Sequence, residues 1–181
     1  MTRYVALLRG INVGGHKKVA MGDLREALGA LGYEDVETYL QSGNAVFTTD
    51  TTDPDALAGG IEEELRSRLG MDVKVLARTA AELAQVVEGN PFPERAADPK
   101  KLHVAFLSAA PEGERVAALD PTPFQPDELR LGDRAVYLWY PNGYGRTKLT
   151  NDLLERKLGV TATTRNWNTV LALLERASAP R

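Results

Sequence analysis

Residues 36–49 read VETYLQSGNAVFTT. β-Branched and aromatic residues fill both flanks, Val36 to Leu40 and Ala45 to Thr49, with Ser42-Gly43-Asn44 as turn chemistry between them. Such a pattern predicts a β-hairpin. Downstream, Asp53-Pro54 is an N-cap followed by proline at the first helical position, and Leu57, Ile61, Leu65 and Leu69 step by four until Gly70 ends the helix. Val73 to Ala77 reads as a further strand. Upstream, Leu24, Leu28 and Leu31 give a helix over 21–31 closed by Gly32, preceded by a buried strand over residues 3–9, RYVALLR. The resulting order, βαββαβ, is that of a ferredoxin-like unit.

The second half repeats the order. Thr79 with Glu82 forms a capping box for a helix that Gly89-Asn90-Pro91 stops, and residues 90–101 read as a connection. Residues 102–108 read as a strand and 111–119 as a short helix. Glu128 to Leu131 and Ala135 to Tyr140 read as a hairpin turning at Gly132-Asp133. Thr150 caps a helix carrying Leu153, Leu154 and Leu158, closed by Gly159. The stretch from Thr163 to Thr169 reads as the opening of a last helix that carries Val170, Leu171 and Leu174. The helix ends LRSRLG (65–70) and LERKLG (154–159) match as well. The expected fold is therefore α+β: two ferredoxin-like halves from an internal duplication, packed into one compact body. The expected boundaries are 1–78, a helix and connector over 79–101, and 102–181 with an extra C-terminal helix. In each half the first and third strands are expected to be central neighbours running in parallel, so that loops leaving their C-terminal ends share one end of the sheet.

The chain has 181 residues, 43% hydrophobic and 26% charged, which suits a folded domain. It contains no cysteine, which excludes disulfides, a Cys nucleophile and thiolate metal sites. The two histidines, His16 and His103, lack metal-ligand spacing, and no nucleophile with a neighbouring base is legible, so neither metal, cofactor nor hydrolytic centre is expected. No apolar run approaches a membrane span and the start is strand-like, so a cytoplasmic monomer or homodimer without membrane contact is expected. A net charge of −3 argues against a whole-protein nucleic-acid binder.

Charge is nevertheless segregated. Residues 1–22, 134–151 and 156–174 contain no acid, whereas 50–64 contain six. The first acid-free window holds Arg9-Gly10-Ile11-Asn12-Val13-Gly14-Gly15-His16-Lys17-Lys18, a Gly-rich loop from strand to helix with three cations. Glycines let backbone approach a ligand, and the helix start beyond it offers free N–H groups to an anion. Gly10 and Gly15 have P-loop spacing, but His16 stands where the lysine belongs and no Ser or Thr follows. The second window holds Asn142-Gly143-Tyr144-Gly145-Arg146-Thr147-Lys148, which combines glycines, cations and an aromatic ring. In the third, Arg165 is read at a helix N-terminus, where a cation is disfavoured unless an anion is bound, and Trp167 as a core anchor or stacking surface. Ser42 and Asn44 belong to the polar hairpin turn.

Residues 8–15 (LRGINVGG), 41–47 (QSGNAVF) and 163–170 (TTRNWNTV) together resemble the successive motifs of a bacterial family, domain of unknown function 1697. The resemblance covers nearly the whole chain. It implies an α+β fold with ferredoxin-like elements and no established reaction.

The leading expectation is a site for a phosphate-bearing ligand, a nucleotide or short nucleic acid, formed by Arg9, Asn12, Gly14, Gly15, Lys18, Ser42, Asn44, Arg146, Lys148, Arg165 and Trp167. If the two loop-bearing ends came together, Arg9, Lys18, Arg146, Lys148 and Arg165 would line one cleft. One alternative is an enzyme for a small carboxylate or amide that uses Asn12, Ser42 and Asn44. The other is a non-catalytic protein-interaction module.

Overall fold

A computed structural model describes residues 1–180. Contacts divide the chain into two units, Met1–Ala84 with the end of the chain from Ala172 onward, and Gln85–Leu171.

In the first unit the elements run β1 (Thr2–Leu8), α1 (Met21–Ala30), β2 (Glu34–Tyr39), β3 (Asn44–Thr49), α2 (Pro54–Leu69) and β4 (Val75–Thr79). The sheet order is β2-β3-β1-β4, antiparallel throughout. Strand alternation sends Tyr4, Ala6, Leu8, Ala45, Phe47, Val75 and Ala77 to one face, where Leu24, Ala27 and Leu28 of α1 and Leu57, Ile61 and Leu65 of α2 complete a core. The Asp53 side chain caps α2 by accepting from the amides of Asp55 and Ala56, and Gly70 closes it at φ 65. The capping box is present: the Thr79 amide donates to Glu82 at 2.8 Å and the Glu82 amide to Thr79 Oγ1 at 3.1 Å. It opens α3 (Ala80–Glu88). Glu37 holds Arg3 at 2.6 Å and Arg176 at 3.0 Å, tying the chain's end into this unit.

The second unit contains β5 (Leu102–Leu107), α4 (Gly113–Ala117), β6 (Glu128–Gly132), β7 (Ala135–Trp139), α5 (Asn151–Leu158) and β8 (Ala162–Asn166). Its sheet order, β6-β7-β5-β8, is that of the first, again antiparallel. Thr150 caps α5 and Gly159 closes it at φ 72. The helix α6 (Trp167–Ser178) begins here and ends in the first unit. The expected boundaries at 78 and 102 thus differ from the contact division, which falls within α3 and α6.

Three expectations are corrected. The central strands of each sheet, β1 with β3 and β5 with β7, run antiparallel. A hairpin joining β2 to β3 reverses the chain before β3 reaches β1. The loop leaving β1 and the loop leaving β7 therefore issue from opposite ends of corresponding sheets. Next, residues 162–166 form a strand where a helix start was expected. Arg165 pairs with Val104 just as Arg78 pairs with Val5 in the first sheet, and both arginines are buried. Lastly, Gly132 pairs with Ala135 as the last residue of β6, so the turn is Asp133-Arg134 with Arg134 at φ 49. A Cβ on Gly132 would stand 2.7 Å from Tyr137 Cε2, so the glycine serves packing and not the turn.

Candidate functional site

The loop after β1 is over-determined by its neighbours. Asn12, at φ 55, donates from Nδ2 to the carbonyls of Val19 (2.9 Å) and Gln41 (2.6 Å) and accepts the Val19 amide at 2.9 Å. Its side chain closes the loop on itself and staples it to the β2–β3 turn. Lys17, at φ 46, donates to the Asp72 carbonyl at 2.7 Å. The Arg9 amide donates to the Lys74 carbonyl at 2.8 Å. In the hairpin turn Leu40 also has positive φ, at 60, and Gly43 at 91 leaves no room for a side chain, since a Cβ would stand 2.7 Å from Ile11 Cδ1. Side-chain-bearing residues held in the left-handed region cost free energy, and such strain concentrates at functional sites.

What this scaffold presents is a pocket of ≈ 420 Å³ lined by Asn12, Gly15, Lys18, Val19, Ala20 and Gln41. Lys18 is exposed and makes no hydrogen bond or ion pair among the described residues. Ala20 is the N-cap of α1 and supplies no side-chain acceptor. The first-turn amides of α1 thus open beside the pocket without a cap. Asp23 is the acid of that turn. A helix start and a lysine make an arrangement that can take an anion.

A family model described as a protein of unknown function, DUF1697, matches residues 1–137. The chain belongs to the DUF1697 family. The match takes in the whole first unit up to Ala84, both of its loops, and the second unit as far as β7. The fold resembles that of conserved bacterial protein SP0830 from Streptococcus pneumoniae, at TM-score 0.76 and 25% identity over 98% of this chain and 99% of that one. No protein with a curated description matches the chain. Neither the family description nor the structural relative supplies a reaction, so chemistry rests on the site's own residues.

The second unit gathers other cations of this DUF1697 chain. Tyr140 is buried and its hydroxyl donates to the Leu149 carbonyl at 2.9 Å, pinning both ends of the loop after β7. Thr147 donates to Asp127 at 2.6 Å and accepts the Leu149 amide at 2.9 Å. Arg146 and Lys148 then reach a pocket of ≈ 220 Å³ with Gln125, Asp127 and Asn142. Neither cation makes an ion pair among the described residues. Arg165 does not line this pocket. It lies within β8, 7% exposed, donating to Thr163 Oγ1 (2.8 Å) and the Thr164 carbonyl (3.0 Å). Burial pulls its pKa down to about 10, with Tyr144 acting in the opposite sense, so it remains cationic at neutral pH.

The expected site residues separate accordingly. Asn12, Gly15 and Lys18 meet at one pocket, and Arg146 and Lys148 at the other. Gly14 and Arg9 belong to the first loop without lining its pocket. Asn44 is fully buried, its amide donating to the Tyr39 carbonyl and to Ser42 Oγ, so these two serve the turn. Trp167 is 3% exposed and offers no face for stacking. Sequence reading weighed His103 only as a metal ligand and missed its place on the core-facing side of β5 with Ala105 and Leu107. A histidine inside an apolar strand was the signal. It also missed Arg78, whose counterpart is Arg165.

Proposed function

We propose that this protein binds a phosphate-bearing ligand, a nucleotide or the end of a short nucleic acid, at the N-terminus of α1. One observation carries the reading: α1 starts at an exposed alanine without a side-chain cap, directly after the unpaired Lys18 and beside a pocket. Anions are favoured at such a helix end by free N–H groups and the helix dipole, and the lysine adds a mobile charge. Val19, Ala20 and Gly15 make the rest of the wall largely apolar, and Val13 and Leu40 stand exposed on the same two loops. A phosphate attached to an apolar or aromatic body fits this better than free phosphate. The reading for a small carboxylate or amide substrate is weaker, because the Asn12 and Asn44 amides are already committed to backbone carbonyls. Among the described residues no helix is long and apolar enough to cross a membrane, and a cytoplasmic place suits a phosphate metabolite.

The test is a titration with adenosine monophosphate and inorganic phosphate followed by NMR. The amides of Met21, Gly22 and Asp23 and the imidazole of His16 should shift, and Lys18→Ala should weaken binding roughly tenfold, the value of one charge-assisted hydrogen bond. Unmoved signals at millimolar ligand would sink the reading.

A further inference from the structure

The second unit holds a pocket of its own, and two separate segments build it. One leads into β6 and supplies Phe124, Gln125 and Asp127, and the other is the loop after β7 with Asn142, Arg146 and Lys148. All of these residues lie within Gln85–Leu171.

Backbone and a few buried or half-buried groups hold the two segments in place. The Asp127 amide donates to the Phe124 carbonyl at 2.9 Å, and Phe124 packs on the core of this unit. The Gly143 amide donates to the Tyr140 carbonyl at 3.0 Å. Thr147 joins the segments by donating to Asp127 Oδ2 at 2.6 Å, and its oxygen also takes the Leu149 amide. This frame spends none of the side-chain donors of Gln125, Asn142, Arg146 or Lys148. Other cations of the unit are spent: Arg95 pairs with Glu128, and Lys101 with Asp98 at 3.5 Å. Asp127 is the one acid lining the pocket, and neither cation pairs with it. Its Oδ2 is committed to Thr147, and Oδ1 accepts nothing among the described residues.

We propose that this pocket binds the phosphate monoester of a small polyol or sugar, with the phosphate on Arg146 and Lys148 and the hydroxyls on Asp127, Asn142 and Gln125. A phosphate monoester carries between one and two negative charges near neutral pH, which matches a guanidinium fork and an ammonium together. An ionised carboxylate only accepts hydrogen bonds and repels further anions, so Oδ1 selects a hydroxyl-bearing body. The two amides can donate to or accept from the same hydroxyls. The volume, ≈ 220 Å³, is below the roughly 300 Å³ at which drug-sized sites begin and suits a body of a few carbons. An amino acid would give Asp127 an ammonium, but its single carboxylate would leave one cation unmatched. The site uses none of the residues at α1.

The test is a titration of the whole chain with ribose 5-phosphate, inorganic phosphate, ribose and serine, followed by NMR. The side-chain amides of Gln125 and Asn142 and the Arg146 guanidinium should shift with ribose 5-phosphate. Each of the other three probes should bind at least tenfold more weakly. Arg146→Ala and Lys148→Ala should each weaken ribose 5-phosphate roughly tenfold, and Lys18→Ala should leave it unchanged. Asn142→Ala should weaken ribose 5-phosphate several-fold and leave inorganic phosphate as it was, a split that a purely electrostatic site would not show. These side chains carry no contact that the fold depends on, so the variants should keep the wild-type melting temperature. Signals that stay put at millimolar ribose 5-phosphate would overturn the proposal. So would inorganic phosphate or serine binding as tightly as the sugar phosphate. Shifts confined to Met21, Gly22 and Asp23 support the α1 site and refute this one, and shifts confined to Gln125, Asn142 and Arg146 do the reverse.

Discussion

Gly43, like the Asn12–Gln41 staple, joins the two loops of the first unit. Its carbonyl accepts the Leu8 amide at 2.8 Å, its φ is +91, and an added Cβ would stand 2.7 and 2.9 Å from Ile11 Cδ1 and Leu8 Cβ. Gly43→Ala therefore suffers backbone strain and overpacking together, and should lose about 2–4 kcal/mol in urea unfolding. Asn12 separates positioning from contact. Asn12→Ala removes three hydrogen bonds and leaves alanine at positive φ, so it should lower stability by about 2 kcal/mol as well as phosphate affinity. Lys18→Ala should lower affinity alone. In the second unit burial lowers the His103 pKa below its usual 6.5, against a smaller opposing pull from the Lys101 carbonyl. The unfolded chain then takes up the proton first as pH falls. Stability from this group is fully present above about pH 6.5 and declines as pH drops from there through the lower folded value. A His103→Phe variant should show a flatter stability profile over that range, and an identical profile would contradict the assignment.

Among the elements, α1 and α2 differ at their starts. Asp53 caps α2, with Oδ1 accepting from the Asp55 amide at 2.9 Å and the Ala56 amide at 3.3 Å. Asp53→Ala should cost about 1 kcal/mol in chemical denaturation, the usual value of an N-cap. The absence of such a cap on α1 is thus a departure within one sheet unit, and it falls beside the pocket. Elements governed by local chemistry were legible from sequence. The Asp53-Pro54 start, the Thr79/Glu82 box and the glycine ends at 70 and 159 all act over a few residues. β8 was not legible, because Thr163, Thr164 and Asn166 carry the side chains of a helix start and Arg165 hides a buried strand position behind a charge. Pairing with β5, some sixty residues earlier, decides it. The staple from Asn12 to Gln41 was equally invisible, since a side chain reaching a distant carbonyl leaves no periodicity. That two loops were rich in glycine and free of acid could be read. That the first sits on an uncapped helix could be read only once Ala20 was seen to be the cap.

At the scale of the whole molecule, the two sheets share one strand order and place a buried arginine at the same register, Arg78 and Arg165. The elaborate loops do not share a position, since one follows the first strand of its unit and the other the third. A net charge of −3 with a share of the cations gathered in acid-free stretches leaves local positive sites on an acidic chain. Phosphate binding should accordingly weaken as salt rises from low to physiological strength. The most direct test compares melting temperatures of the wild type and Ala20→Asp with and without inorganic phosphate. Ala20 is exposed and has extended backbone angles, φ −69 and ψ 139, so an aspartate there can cap α1 and occupy the amides assigned to the anion. Without ligand, the variant should melt about 2–4 °C higher, corresponding to about 1 kcal/mol of capping. Phosphate at about a hundred times its dissociation constant should stabilise the wild type by about 2.7 kcal/mol, a rise of about 5–10 °C, and leave the variant unmoved. Equal shifts in both proteins, or a shift in neither, would contradict an anion site at the start of α1.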